Sequence, residues 1–430
     1  MNAVSKSIAL LGTLDTKGQE IFFMKNLVEA KGYKAVVIDT GIMGNPSFKP
    51  DVERTDVLRE IGLEMSQLIS LRDLGKACEI MSNAVSVFIK RYYEERIIDG
   101  LIAVGGGTGS AICAKGLQQL PIGFPKVLAS TKAIQAGIQT YAGTKDVVIL
   151  PTVCDIAGLN WITKRILSNA VGMVIGMIEM PPVKHDEKPL IVMSMNGGTT
   201  ECGLALKDML TKDGYEIIIF HSLGPGGRAM EEFIIENNVV FSIETGLLEI
   251  TNELFGGMAS AGKERLEAAG RKGIPQIVVP GTVEVLNFLG LETVPEKYRH
   301  RRVYTRNISS TVVRMEEEEL GIIAKVIAEK VNKSKGITEV LIPLRGFSNL
   351  DVEGGVLYDS EADRVFVELL KANLAPEIQV FERDFHINDK KFSEFIYERF
   401  LDMSKRSAHR AMKSAEEIRP DDCQSNSHGA

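Results

Sequence analysis

Short unbroken apolar runs recur along the chain, each followed by a glycine- or threonine-bearing turn and then by apolar residues at helical spacing. Ser7 to Leu11 reads as a strand, Gly12 to Gly18 as a polar turn, Glu20 to Ala30 as a helix, and Ala35 to Ile38 as a second strand ending in Asp39-Thr40-Gly41. Strands without polar alternation are covered on both faces, and strands that alternate with helices make parallel βαβ units. Val85, Phe88, Ile89 and Tyr92 share one face of a helical region between Val57 and Arg96, a face expected to meet the core. Leu101 to Val104 then runs into Gly105-Gly106-Gly107-Thr108-Gly109-Ser110 and a helix from Ala111 to Gln119. Further strands are expected before Ser130-Thr131 and over Val147 to Leu150. A helix to about Met180 comes next, with Asp155 and Asn160 flanking its start. Asp155 reads either as the helix cap or as a carboxylate for magnesium or substrate.

The segment from Met180-Pro-Pro to Lys188-Pro189 is the clearest linker. Beyond it the pattern of the first half recurs. Gly214-Tyr215 to Phe220-His221 parallels Gly32-Tyr33 to Ile38-Asp39, and Gly273-Ile-Pro to Gly281-Thr282 parallels Gly123-Phe-Pro to Ser130-Thr131. The same order in both halves suggests a duplicated α/β domain or convergence on one local geometry. The expected division is an N-terminal subdomain over 1–180, a linker over 181–189 and a C-terminal subdomain over 190–402. A polar tail over 403–430 is read as a fraying helix passing into disorder.

Composition narrows the partners. Across 430 residues the formal charge is −7, with 25% charged residues and no basic block interleaved with aromatics, so a nucleic-acid backbone is not an expected partner. The five cysteines are scattered without a Cys-x-x-Cys pair, which argues for a reducing compartment and against a structural zinc. No apolar stretch is long enough for a signal-peptide core or a membrane span, so the expected address is the cytoplasm.

Two kinds of chemistry stand out. A glycine turn between a strand and a helix lets backbone N–H groups close on an anion at the positive end of the helix dipole, which fits Gly105 to Ser110. The Gly12 to Gly18 turn adds Lys17, and Asp39 lies at a strand end where dinucleotide folds place a ribose-binding carboxylate. Neither turn matches GxGxxG or GxxxxGK[ST], so tight structural turns remain an alternative. In the second half, His221 precedes the glycine-rich Gly224 to Arg228 turn. Arg345, Ser348, Asp351, His386 and Asn388 follow other expected strands, with Glu284, Asn287, Arg302, Asn307 and Arg314 between. Arg345, His221 and His386 are the candidates to hold a small anionic substrate and supply a general base.

Taken together, Leu11-Gly-Thr-Leu-Asp-Thr-Lys-Gly18, Asp39-Thr-Gly41, Gly105 to Gly109, Leu120 to Lys126, Asp155 to Asn160, Gly224 to Met230, Leu266 to Gly270, Pro343-Leu-Arg-Gly346 and His386-Ile-Asn388 resemble one family. It is the ATP-binding domain family named for the tobamovirus-resistance protein of tomato, and the resemblance extends to about residue 400. It implies two tandem Rossmann-like subdomains with mainly parallel sheets, a homodimer, and ATP in the first half, for which magnesium is the expected companion. By position, the nucleotide would meet Gly12, Thr13, Asp15, Lys17, Asp39, Thr40, Gly41, Gly105, Gly106, Gly107, Thr108, Gly109, Ser110, Ser130 and Thr131. The family's Ser-Gly-Asp segment after Ser-Thr is replaced here by Lys132 to Thr140. Two functional classes stay open: an ATP-dependent enzyme acting on a small anionic substrate, and a non-catalytic nucleotide-dependent regulatory or binding module.

Overall fold

Burial on both faces explains the apolar strands of the first half. In the computed structural model, which describes residues 6–133, 138–183 and 187–417, the strands are β1 (Ser7–Gly12), β2 (Lys34–Asp39), β3 (Gly100–Gly105), β4 (Lys126–Ser130) and β5 (Val148–Pro151). They form one all-parallel sheet in the order β2-β1-β3-β4-β5. Between them lie α1 (Leu14–Ala30), α2 (Arg54–Arg59), α3 (Met65–Ser70), α4 (Leu74–Glu94), α5 (Gly107–Gln118), α6 (Ile138–Ala142) and α7 (Trp161–Glu179). Ile8, Leu10, Val37 and Ile102 pack with Ile21 and Met24 of α1 and Leu167 and Val174 of α7. Alternate residues Ala9, Leu11, Ile38 and Leu101 face Val85 and Phe88 of α4 and Ile112 of α5. A strand with a helix layer on each side has no solvent face on which a polar side chain would be tolerated.

The second half repeats this order with an addition. β6 (Leu190–Met195), β7 (Glu216–His221), β8 (Val239–Glu244), β9 (Gln276–Val278), β13 (Thr338–Pro343) and β14 (Gln379–Arg383) form a parallel sheet ordered β14-β13-β9-β8-β6-β7. Counted from β7, that is the sequence of the first sheet plus one strand. α8 (Thr200–Lys212) and α14 (Lys390–Glu417) cover one face through Leu206, Leu210, Ile396 and Phe400. The other carries α9 (Pro225–Glu236), α10 (Leu248–Phe255), α11 (Ala268–Lys272), α12 (Glu317–Asn332) and α13 (Ser360–Asn373). Between β9 and β13 the chain makes a small antiparallel sheet of β10 (Val285–Phe288), β11 (Val303–Asn307) and β12 (Ser310–Arg314), in the order β10-β12-β11.

The chain divides into two units, Met1–His185 and Asp186–Ala430. That division falls inside the expected linker, of which 184–186 lie outside the described residues. Three local expectations change. α1 starts at Leu14 rather than Glu20, with a break in helical geometry at Lys17 (φ −124°, ψ 18°), so most of the expected turn is helix. Asn160, not Asp155, caps α7, its side-chain oxygen accepting from the Ile162 and Thr163 amides. The fraying helix expected at the head of the tail is a packed continuation of α14, which runs to Glu417: Met403 is buried, and Arg406 joins Arg399 on Glu339 of β13. Residues 418–430 lie outside the described residues, as do 134–137 in the segment where the family pattern is replaced. No helix among the described residues is long and apolar enough to cross a membrane.

Candidate functional site

In an open parallel sheet the ligand crevice opens where the strand order reverses direction, beyond the carboxyl ends of the strands. In the first unit that point lies between β1 and β3, whose ends carry the two turns singled out in the sequence. The glycines of the second turn divide by role. A Cβ on Gly105 would sit 2.3 Å from the Ser110 nitrogen, so Gly105 lets the first turn of α5 close onto the strand. Gly106 and Gly107 have ordinary room, the nearest atoms being Thr131 Oγ1 at 3.7 Å and Lys132 Cγ at 3.8 Å. These two glycines line a cavity of about 510 Å³ with Thr131, Lys132 and residues 151–155. Gly106 caps α5 without a side-chain hydrogen bond, and the Ser110 amide is the first to bond back, to the Gly106 carbonyl at 3.0 Å. The amides ahead of it are those that any helix start leaves open. Thr108 is exposed at the same turn, while Gly109 is buried beside Thr13.

The lip of this cavity is strained. Val153 is 88% exposed with φ +65°, and the Cys154 amide donates to the Thr152 carbonyl at 2.6 Å, closing a γ-turn around a β-branched residue. That conformation costs a β-branched side chain on the order of 1–3 kcal/mol and concentrates at functional sites. Asp155 is exposed on the same wall.

Several expected contacts are structural instead. Asp39 is 1% exposed; its Oδ1 accepts from the Leu14 amide (3.0 Å) and the Gly41 amide (2.9 Å), and its Oδ2 from Arg54 Nε (2.6 Å). It ties β2 to the start of α1, and both of its oxygens already accept hydrogen bonds. Lys17 donates its ammonium to the Ile156 carbonyl, so it joins α1 to the loop after β5. Ser110 and Ser130 bond to each other at 2.7 Å, Thr13 bonds to Thr16 at 2.7 Å, and Thr40 is buried against Cys113. Gly12 has Ile21 within 2.7 Å of where a Cβ would be, and Gly41 has Arg54 within 2.6 Å. Asp15 keeps one buried carboxylate oxygen without a hydrogen-bond partner. On the β2 side a second cavity of about 550 Å³ has apolar walls of Met43, Phe48, Met65 and Ile69, with Lys49 and Arg54 as cations and Asp39 and Glu53 as carboxylates.

In the second unit the order reverses between β6 and β8, and side chains from the loops after five strands meet there. The Asn196 amide group donates to Ser222 Oγ (3.0 Å) and Thr282 Oγ1 (2.8 Å), while its oxygen accepts from the Gly198 amide (2.8 Å). Thr282 has φ +59°, again left-handed for a β-branched residue. Asn196, Thr282 and Ser348 form the buried floor of a cavity of about 200 Å³, with His221 and Arg306 at its walls. The expected trio does not assemble. Arg345 is exposed and paired with Asp384 at 2.6 Å, which raises the guanidinium's pKa and lowers that of the carboxylate. His386 has both ring nitrogens engaged: Nδ1 accepts from the Asn388 amide at 3.2 Å, and Nε2 faces the Ser348 carbonyl at 2.9 Å. Of the three, only His221 lines the cavity.

The unit also buries charge. Arg265, 1% exposed, is shared by Glu231, Glu244 and Glu249, and burial pushes the Glu249 carboxyl up to about 7. Arg314 similarly serves Asp351 and Asp363 beside Glu284, whose two oxygens have no hydrogen-bond partner among the described residues. Burial, then the nearby Asp351, drives Glu284 to about 7, and burial raises Asp363 to about 8. Cys113 and Cys202 are pushed up to about 12 by burial, which leaves them unreactive thiols.

Comparison with known proteins matches residues 6–182 to the N-terminal domain, and residues 188–404 to the C-terminal domain, of the uncharacterised protein family UPF0261. The chain belongs to the UPF0261 family. A UPF0261 protein of Clostridium tetani is 38% identical over 402 residues, 93% of this chain and 99% of that protein. The UPF0261 protein of Rhizobium meliloti is 33% identical over 93% of this chain and 99% of its own length. The tobamovirus (ToMV) resistance protein Tm-1 of tomato is 32% identical over 96% of this chain, which spans 58% of the tomato protein. The expected membership is thus shown. Among solved structures, the UDP-GlcNAc 2-epimerase of Neisseria meningitidis bound to UDP-GlcNAc covers 92% of this chain and 100% of its own, at 11% identity and a TM-score of 0.21. The UPF0261 chain also brings forward residues that sequence reasoning passed over. Arg306 comes from a hairpin with no motif, and Asn196 was visible only as part of a strand followed by an Asn-Gly-Gly-Thr turn.

Proposed function

We propose that this UPF0261 protein binds ATP or a related nucleotide at the β1–β3 reversal of its first unit. The observation that carries the reading is the open side of Gly106 and Gly107, which faces a cavity of about 510 Å³ at an uncapped helix start. That size lies within the ~300–1,000 Å³ of small-molecule sites. Phosphates belong at the glycine turn, and the base belongs in the apolar cavity of Met43, Phe48, Met65 and Ile69 on the β2 side. Among the described residues no cluster of three or more His, Cys, Asp or Glu could hold a metal alone. Magnesium suits the site as the partner of one carboxylate plus phosphates, and Asp15, with its unpartnered oxygen, and Asp155, on the cavity wall, are the candidates.

The reading extends to an ATP-dependent enzyme of the cytoplasm, working as a homodimer, whose second unit takes a small anionic substrate. Phosphoryl transfer or ligation fits, since such chemistry rests on positioning and charge neutralisation. A non-catalytic, nucleotide-dependent regulatory module is the second reading. The dispersal of Arg345, His221 and His386 favours it, because only His221 of the three lines the second cavity.

Isothermal titration decides the first step. ATP with magnesium is expected to bind the parent chain, and Gly106→Val to weaken it at least tenfold without lowering the melting temperature, since the new side chain projects into the cavity. Ile69→Glu, at an exposed position of the β2-side wall, is expected to weaken ATP more than inorganic triphosphate. Unchanged ATP affinity in Gly106→Val would remove the site. Turnover of ATP in the presence of a panel of small acids, absent without them, separates the enzyme from the module.

A further inference from the structure

A guanidinium in water ordinarily finds a carboxylate on a surface as charged as this one. Arg306 does not. It leaves the antiparallel insert on β11 and reaches over the turn after β6, where a Cβ on Gly197 would lie 3.1 Å from its Nη1. Among the described residues its guanidinium has neither an ion pair nor a hydrogen bond, and the same holds for the imidazole of His221, which lines the same cavity. Beneath them the floor is built rather than incidental. Asn196, Thr282 and Ser348 are 5%, 2% and 1% exposed; Asn196 donates to Thr282 Oγ1 and accepts from the Gly198 amide, and Thr282 is kept in a left-handed conformation that only surrounding structure can sustain. α8 begins at the same turn, so its positive end adds to the field.

From this convergence we propose that the cavity under Arg306 is a binding site for the oxyanion of a small ligand, a carboxylate or a phosphate group. Arg306 clamps the anion, and the polar floor with His221 orients the remainder. The inference rests on the reading that the second unit takes a small anionic substrate, and it moves that site from Arg345 and His386 to Arg306. Volume decides the class. About 200 Å³ lies below the ~300 Å³ at which pockets for drug-sized ligands begin, so a small acid or a phosphate group fits and a whole nucleotide does not. The planar fork of arginine matches either oxyanion with two parallel hydrogen bonds. The nearby opposing charge, the buried Glu284 and Asp351, is countered by Arg314 from the adjoining strand β12.

The full chain would be titrated at low ionic strength with inorganic phosphate and, separately, with malonate. One of the two is expected to bind the parent with one site. Arg306→Gln is expected to weaken it at least tenfold, Arg306→Lys by less, and His221→Asn several-fold. Arg364→Gln, a surface pair on α13, serves as the charge control and leaves it unchanged. Arg306 is exposed, so an unaltered melting temperature certifies the fold. Tighter binding of phosphate assigns a phosphoryl ligand, and tighter binding of malonate assigns a carboxylic acid. If neither binds, or if Arg306→Gln binds like the parent, the proposal falls. If phosphate binding is lost in Gly106→Val and kept in Arg306→Gln, the anion belongs to the first unit: this inference fails while the nucleotide reading stands. Loss in Arg306→Gln together with absent ATP binding keeps the anion site and removes the nucleotide reading.

Discussion

Asp39 shows how one carboxylate can suit a function by position and serve structure by contact. It stands where a ribose acceptor would stand, yet both oxygens are occupied by the Leu14 and Gly41 amides and by Arg54, 8% exposed. Removing one partner of a buried pair strands the other charge, at a cost of about 3–5 kcal/mol. Asp39→Ala is therefore expected to destabilise the first unit by that amount in urea unfolding, with or without nucleotide. A variant that unfolds normally but binds ATP poorly would return Asp39 to the ligand. The raised carboxyls of the second unit give a pH test. Glu284 holds its proton to about pH 7 when folded, whereas its ordinary value is 4.5, so the native state binds the extra proton. Stability from that source is complete below pH 4.5 and is lost as pH rises through 7. Glu284→Gln keeps the neutral form at every pH. It is expected to gain on the parent by ~1–3 kcal/mol between about pH 5 and 8.5, read from melting curves at each pH. Because Asp363 titrates in the same cluster, the protons leave in coupled steps. A pH-independent difference would mean that Glu284 is ionised throughout.

At the scale of elements, α14 is the part of the chain where polarity misleads. Its end is rich in Lys, Arg and Ser, which reads as tail, yet Met403 is buried and Arg399 and Arg406 both reach Glu339, a carboxylate with no exposure on β13, the strand next to the edge of the sheet. Long charged side chains cover buried structure with their stems, so charge alone does not mark the boundary. A chain stopped after Asp402 loses Met403 and one of the two arginines on Glu339. It is expected to lose at least ~2 kcal/mol in the second unit, since burial of one methionine is worth about 1.5–3 kcal/mol. A chain stopped after Glu417 is expected to match the full length in urea unfolding. Equal stability of the two would place the boundary back at 402.

For the whole molecule, two parallel sheets share the strand order 2-1-3-4-5, counted separately in each unit, and each reversal carries a glycine turn with a cavity. The cavities differ in the way that their residues predict. The first has two glycines with open faces and the room for a nucleotide's phosphates. The second is smaller and walled by His221 and Arg306. A repeated scaffold that keeps its crevice while changing the crevice's lining can serve two ligands, since function lies in the site rather than in the fold.

The sequence by itself determined the strands, the alternation with helices, the repeated order of the two halves and the family, because all of these are local or periodic. Runs such as Leu101 to Val104 must be buried on both faces, and the glycine turns stand directly after them. What only the tertiary structure decided is which polar side chains are free. Asp39, Arg345 and His386 sit at or just past strand ends as the sequence requires, but Arg54, Asp384 and the Ser348 carbonyl engage them from residues distant in the chain, as the Ile156 carbonyl engages Lys17 of α1. Arg306, with no motif to mark it, is left over the second cavity together with His221, neither side chain having a partner among the described residues. Whether a side chain is engaged is a sum of long-range contacts, and no spacing along the chain encodes that sum.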